Sequence, residues 1–86
     1  NPKLRSELIS FKVIDEQRIS ITYKITVRDL TKEHSCSVVA RDIDKNTVGQ
    51  VADLMPAGSL IAGGNLRTVE IATRLAAVNA GIAGCQ

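Results

Sequence analysis

The stretch RISITYKITV, residues 18 to 27, decides the fold class, because apolar and polar side chains alternate along it without a break. Successive side chains of a β-strand point to opposite faces of the sheet, so this period predicts a strand with one buried and one solvated face. Such strands are typical of antiparallel sheets. The buried side, called the apolar row below, comprises Ile19, Ile21, Tyr23, Ile25 and Val27.

A second alternating run precedes the first. Ile9, Phe11 and Val13 share one parity, and the polar segment Asp15-Glu16-Gln17 connects this run to the next. Two alternating runs separated by a short polar connection predict a β-hairpin. In this hairpin we expect Phe11 to pack against the apolar row from the neighbouring strand.

Two further strands follow in the middle of the chain. Residues 36 to 40 alternate after a polar turn at 29 to 33, and residues 47 to 53 form a short strand after the polar turn at 42 to 46. The sequence Met55-Pro56-Ala57-Gly58 ends the second of these strands, because Pro and Gly are unfavourable inside a strand.

Residues 67 to 84 fit two patterns. Val69, Ile71, Thr73 and Leu75 alternate as in a strand, whereas Ile71, Leu75, Val78 and Ile82 also form a stripe at helical spacing. The pattern alone leaves strand and helix open. An α+β fold with a C-terminal helix is therefore the alternative to an all-β fold.

The composition limits the class of protein. Eighty-six residues allow a single domain, residues 1 to 86, and an aromatic content of 2% means that Ile, Val, Leu and Ala must supply its core. The net charge of +2, from 11 basic and 9 acidic residues, is too small and too mixed for a nucleic-acid-binding surface. No run reaches the roughly 18 apolar residues of a membrane span. We therefore expect any membrane anchor to lie upstream of Asn1.

Several short motifs occur in one order along the chain: ISFKVID, RISITYKITV, CSVVARD, a turn ending in VG, RTVEIATRLAA and a final GC. In this order the chain, from about Glu7 to Gln86, resembles the extracytoplasmic domain of an actinobacterial membrane-protein family, the domain-of-unknown-function family 4307. Cys36 and Cys85 each fall on a cysteine position of that family.

The resemblance has consequences for fold and function. It implies strands in the C-terminal third, and hence a small antiparallel β-sandwich, immunoglobulin- or fibronectin-like, with six or seven strands. It implies a single-span protein of the cell membrane with this domain on the extracytoplasmic side. No activity is established for the family, so we expect a non-catalytic interaction or assembly domain whose partner is an envelope or membrane protein.

The two cysteines admit three interpretations. In an extracytoplasmic domain we predict a Cys36–Cys85 disulfide with Cα atoms about 4.4 to 6.8 Å apart. Free buried thiols are the second interpretation. The third is thiol chemistry at Cys36 assisted by His34, which makes a thiol-handling or enzyme-accessory protein the alternative function. One His and two Cys are too few ligands for a zinc site.

The segment from Asp42 to Asn46 has some features of a calcium loop. Asp42, Asp44 and Asn46 occupy alternate ligand positions, and Asp53 occupies the twelfth. Thr47 replaces the glycine that the sharp bend needs, however, and Lys45 adds a positive charge. We therefore predict a turn between strands, with no metal and no cofactor.

The polar side of residues 18 to 27 suggests an interaction surface. Arg18, Lys24 and Arg28 lie among Ser and Thr there, which suggests a basic surface for lipid headgroups or an acidic envelope polymer. The acidic residues lie mostly in predicted turns, so no catalytic residue is assigned and we predict that the chain is not an enzyme.

Overall fold

The computed structural model describes residues 4–86 and consists of β-strands joined by turns and loops. The strands are β1 (Leu4–Asp15), β2 (Arg18–Val27), β3 (His34–Arg41), β4 (Thr47–Met55), β5 (Asn65–Ala72) and β6 (Asn79–Cys85). The predicted all-β fold is confirmed, and the alternative with a C-terminal helix is wrong because β5 and β6 occupy that region.

The strands form two antiparallel three-stranded sheets. The first sheet has the order β1-β2-β5 and the second has the order β4-β3-β6. Lettered A, B, C, C′, E and F, the strands of residues 4–86 pair as A-B-E and C′-C-F, which is the pairing order of immunoglobulin-type sandwiches without strands D and G. The predicted small β-sandwich is therefore confirmed, with the lower of the two strand counts.

The apolar row of β2 forms the centre of the core. Its first four members are fully buried, and Val27 is nearly so. They pack against side chains from the second sheet, from β5 and from the connecting loops. These partners are Cys36, Val38, Ala40, Val48, Met55, Leu60, Ile71, Ala77 and Ala80. The period read from residues 18 to 27 thus assigns the buried face correctly.

Strand β1 is longer than predicted and contains a bulge. Leu8 lies opposite Tyr23 and Ser10 lies opposite Thr22, so that Ile9 is the extra residue on β1. Beyond the bulge Phe11 lies opposite Ile21, as the hairpin predicts. The bulge reverses the parity, so that even residues before it share the inner side of the first sheet with Phe11 and Val13 after it. A second irregularity, between Val13 and Asp15, places Asp15 opposite Arg18 on the outer side.

The expected burial of Phe11 is only partly realised, because its side chain stays 41% exposed. Phe11 lies on an edge strand, and the neighbouring strand of the second sheet is β6. The sequence of β6, NAGIAGC, carries mainly Ala and Gly, whose small side chains cover little of β1. For this reason β1 contributes no buried side chain to the core.

The segment after β5 closes one end of the sandwich. Strand β5 ends at Ala72, so the predicted alternation up to Leu75 continues three residues too far. Thr73 N–H donates to the carbonyl of Gln17 at 2.8 Å, and Arg74 N–H donates to the carbonyl of Val48 at 3.0 Å. These two hydrogen bonds connect the β1–β2 turn to β4, which belongs to the opposite sheet.

Candidate functional site: a disulfide, a buried ion pair and an exposed edge strand

A Cys36–Cys85 disulfide joins two neighbouring strands of the second sheet. The two cysteines are register partners on β3 and β6, and their Cα atoms are 4.0 Å apart. Ser35 and Gln86 exchange both backbone hydrogen bonds, at 2.9 and 2.8 Å. The adjacent cysteine pair is therefore a non-hydrogen-bonded pair, in which Cα atoms approach most closely. This explains a Cα distance slightly below the range expected from sequence.

The surroundings of Cys36 do not favour thiol chemistry. Cys36 is completely buried, and both cysteines of the chain take part in the bond. The His34 ring is engaged elsewhere, since its Nε2 lies 2.8 Å from the carbonyl oxygen of Asp29. The structure thus does not use the Cys36–His34 spacing as a nucleophile–base pair.

A buried ion pair connects the two sheets. The Tyr23 hydroxyl donates to Asp53 Oδ2 at 2.5 Å. Arg67 donates from Nε to the same oxygen at 3.0 Å and from Nη2 to Oδ1 at 2.7 Å. Because Tyr23 and Arg67 lie on the first sheet and Asp53 lies on β4, this Tyr23–Asp53–Arg67 cluster fixes the position of one sheet on the other.

Burial and hydrogen bonding within this cluster shift the pKa values of Asp53 and Tyr23. Burial opposes ionisation of Asp53, but hydrogen bonds from Arg67 and Tyr23 outweigh it and lower the pKa of Asp53 below its ordinary value. Burial, followed by the hydrogen bond to the Asp53 carboxylate, raises the pKa of Tyr23 well above its ordinary value. The carboxylate and the phenol therefore keep their charged and neutral forms over the whole physiological pH range.

Sequence reasoning did not identify this cluster. Tyr23 counts as an apolar residue in the alternation, and Asp53 stands out only as the twelfth position of a calcium loop. One signal was available, because a buried tyrosine hydroxyl requires a hydrogen-bond partner. Identifying that partner requires the register between β2, β4 and β5.

Replacing Asp53 by Asn should lower the free energy of unfolding by about 2–3 kcal/mol at neutral pH, because the half-buried Arg67 loses its counterion. Since the pKa of Asp53 is lower in the folded chain, its contribution is present above about pH 4 and is lost as the pH falls further. Urea titrations at pH 7 and pH 3 measure both effects. If Asp53→Asn lowered the free energy of unfolding by the same amount at both pH values, the ionised Asp53 would not be the source of this stability.

The Asp42–Asn46 segment is a turn. Asp42 Oδ1 accepts hydrogen bonds from the backbone N–H groups of Asp44 and Asn46, each at 2.9 Å. Lys45 adopts the left-handed conformation with φ 69°. Asp53 belongs to the buried ion pair and not to this loop. Among residues 4–86 no group of three or more His, Cys, Asp or Glu side chains is arranged to hold a metal ion.

The three basic residues of the candidate interaction surface do not form a single patch. Arg18 pairs with Asp15 at 2.8 Å and with Glu70 at 3.4 Å, so its charge is largely compensated. Lys24 lies opposite a glutamate of β1, and Arg28 lies beyond the end of β2 in a shallow hollow next to Lys32. The outer face of the first sheet is therefore mixed in charge.

Strand β1 carries several exposed apolar side chains. Five large apolar side chains of this strand are 41 to 50% exposed. We call them the apolar edge; they are Leu8, Ile9, Phe11, Val13 and Ile14. Three of them, Leu8, Phe11 and Val13, lie on the inner side, and among residues 4–86 β2 is the strand that pairs with β1. Exposed apolar side chains concentrated on one edge strand are typical of interaction sites.

Together these features define a small β-sandwich domain with one disulfide, one inter-sheet ion pair and an uncovered apolar edge strand. The chain belongs to the DUF4307 family, a domain of unknown function whose family model matches residues 1–85. No match to a curated protein or to a solved structure was found. Within the part of the chain that the structure describes, none of the segments is a helix of the length and hydrophobicity that crossing a membrane requires.

Proposed function

We propose that this chain is a non-catalytic interaction or assembly domain on the extracytoplasmic side of the cell membrane, within a single-span membrane protein. Its partner is an envelope or membrane protein. The disulfide supports this location, because such bonds persist in oxidising compartments. The family itself has no assigned role.

The observation that carries the proposal is the apolar edge of β1. A strand at the edge of a sheet presents unpaired backbone donors and acceptors, which can bind an added strand. Exposed apolar side chains beside them supply the hydrophobic surface that such binding buries. A partner that adds a strand to β1 would pair these backbone groups and bury these apolar side chains at the same time.

The alternative function, thiol handling through Cys36, has less support. It requires a sulfur atom that a substrate can reach, but Cys36 is buried and bonded in the folded chain. The surface formed by Arg18, Lys24 and Arg28 also contributes less than expected, because acidic neighbours lie on the same face of the sheet.

The Phe11→Ser variant should lose partner capture when the full-length protein is crosslinked in its own membrane. The matched control is Leu66→Ser, which removes an exposed apolar side chain from β5 and should leave capture unchanged. Joint replacement of Arg18, Lys24 and Arg28 by Ser should reduce capture less than Phe11→Ser does. Capture that is retained in Phe11→Ser, or lost in His34→Ala with the fold intact, would contradict the proposal.

A further inference from the structure

We propose that the strand added to β1 is β1 of a second copy of this chain. The two strands pair antiparallel and edge to edge, so that two three-stranded sheets become one six-stranded sheet. This inference rests on the proposed function, because it names the partner of the same edge. It follows from the position of the bulge and from the charges on β1.

The bulge determines which residues can face each other. Before Ile9 the inner side of β1 carries Leu8, whereas after it the inner side carries Phe11 and Val13, as their partners on β2 show. Residues directly opposite in an antiparallel pair have side chains on the same face. For pairing to extend through the bulge, over residues 6 to 13, two copies related by a two-fold axis must therefore place the half before the bulge opposite the half after it.

One register satisfies this condition with matching chemistry. When the axis passes between Ile9 and Ser10, Leu8 lies opposite Phe11 of the second copy, both on the inner side. On the outer side Glu7 lies opposite Lys12 of the second copy. The symmetry repeats each contact, so the seam between the two copies contains two Leu8–Phe11 pairs and two Glu7–Lys12 pairs. Ser6 opposite Val13 and Arg5 opposite Ile14 flank them.

The two neighbouring registers are poorer. Moving the axis by one residue towards the start of β1 places Arg5 opposite Lys12 of the second copy, which are like charges. Moving it by one residue in the other direction places Phe11, which is on the inner side, opposite Ser10 of the second copy, which is on the outer side. Only the register centred between Ile9 and Ser10 therefore combines the apolar pairs with charge complementarity.

The same residues exclude unspecific pairing. A bulge and a lysine on an edge strand ordinarily protect it from aggregation. Lys12 disfavours an added strand unless that strand has an acid at the matching position, and Glu7 of a second copy supplies it. Lys12 thus disfavours pairing with strands that lack a matching acid, while Glu7 favours pairing with a second copy. Specific interfaces commonly combine repulsion of wrong partners with attraction of the right one.

The proposal is tested by reversing the charges of Glu7 and Lys12 and measuring dimerisation of this chain by sedimentation equilibrium at low salt. Wild type should dimerise, and Glu7→Lys and Lys12→Glu should each weaken the dimer about tenfold or more, because two attractive pairs become two repulsive ones. The double variant Glu7→Lys/Lys12→Glu should restore the dimer. An equimolar mixture of the two single variants should form a heterodimer.

Two controls separate association from folding. Glu7 also lies opposite Lys24 within the chain, so the thermal unfolding of each variant is compared with wild type first. Glu33→Lys makes the same charge change at an exposed turn residue outside β1 and should leave the dimer intact. The mixture of single variants is decisive, because restored association there cannot arise from the fold of either chain.

A wild-type chain that remains monomeric into the millimolar range would overturn this inference. Loss of the dimer in both single variants without recovery in the double variant or the mixture would also overturn it. The proposed function fails separately: it is wrong if Phe11→Ser retains capture in the membrane. Capture of a different protein that Phe11→Ser abolishes, together with a monomeric chain, would retain the proposed function and refute the second copy.

Discussion

Replacing both Cys36 and Cys85 by Ala should lower the free energy of unfolding by about 4 kcal/mol. The bond joins residues 49 positions apart, and a cross-link of that span removes about this much loop-closure entropy from the unfolded chain. A domain of this size has a net stability of only about 5–15 kcal/mol, so the loss is a large fraction of the total. Urea unfolding of the oxidised wild type and of the double variant measures it.

The reduced wild-type chain is the control for this substitution. Cys36 is buried in the core, so its replacement by Ala also removes packing volume. Reduction breaks the cross-link while keeping both sulfur atoms, and the difference between reduced wild type and the Ala variant therefore reports packing alone. A difference of less than about 1 kcal/mol between oxidised and reduced wild type would contradict the expected role of the bond.

The part of the fold that the sequence predicts is the part determined by local alternation. Residues 18 to 27 alternate strictly, and the structure buries every odd residue from Ile19 to Val27. The pattern works because a strand with one solvated face needs a period of two along its whole length. The same reasoning gives the hairpin and the opposition of Phe11 and Ile21.

Burial on β1 could not be predicted in this way. Alternation shows which side of a strand faces inward, but the degree of cover depends on the strand that packs above it. That strand is β6, whose Ala and Gly residues lie about 70 positions away in sequence. The extra residue Ile9 also changes the parity of β1, and no local pattern distinguishes this bulge from a regular strand.

The Tyr23–Asp53–Arg67 cluster could not be predicted from the sequence for a related reason. Tyr23, Asp53 and Arg67 come from three strands, and only the pairing of the sheets brings them together. The C-terminal third was ambiguous because Ile71 fits both a helical stripe and an alternating strand. Tertiary pairing decides it, since β5 completes the hydrogen bonds of β2. The cysteines were easier to interpret, because the family resemblance implied an oxidising compartment, in which two cysteines of a small domain suggest a disulfide.

Truncating Ile21 to Ala should lower the free energy of unfolding by about 2–5 kcal/mol. Ile21 is completely buried at the centre of the core, so its loss removes transfer energy and leaves a cavity. Thr22→Ala is the matched control on the same strand. The Thr22 side chain faces outward and shares a hydrogen bond of 3.1 Å with the Thr68 hydroxyl, so its loss should cost about 1 kcal/mol or less.

Phe11→Ala extends the comparison to the register partner of Ile21. Although Phe11 is the larger side chain, we expect a cost of only about 1 kcal/mol in a monomeric sample, because it is 41% exposed. Chemical denaturation at low protein concentration measures all three variants against wild type. If Phe11→Ala destabilises the monomer as much as Ile21→Ala, then Phe11 belongs to the core. The apolar edge would then be part of this chain's own packing, and β1 would no longer be available to a partner.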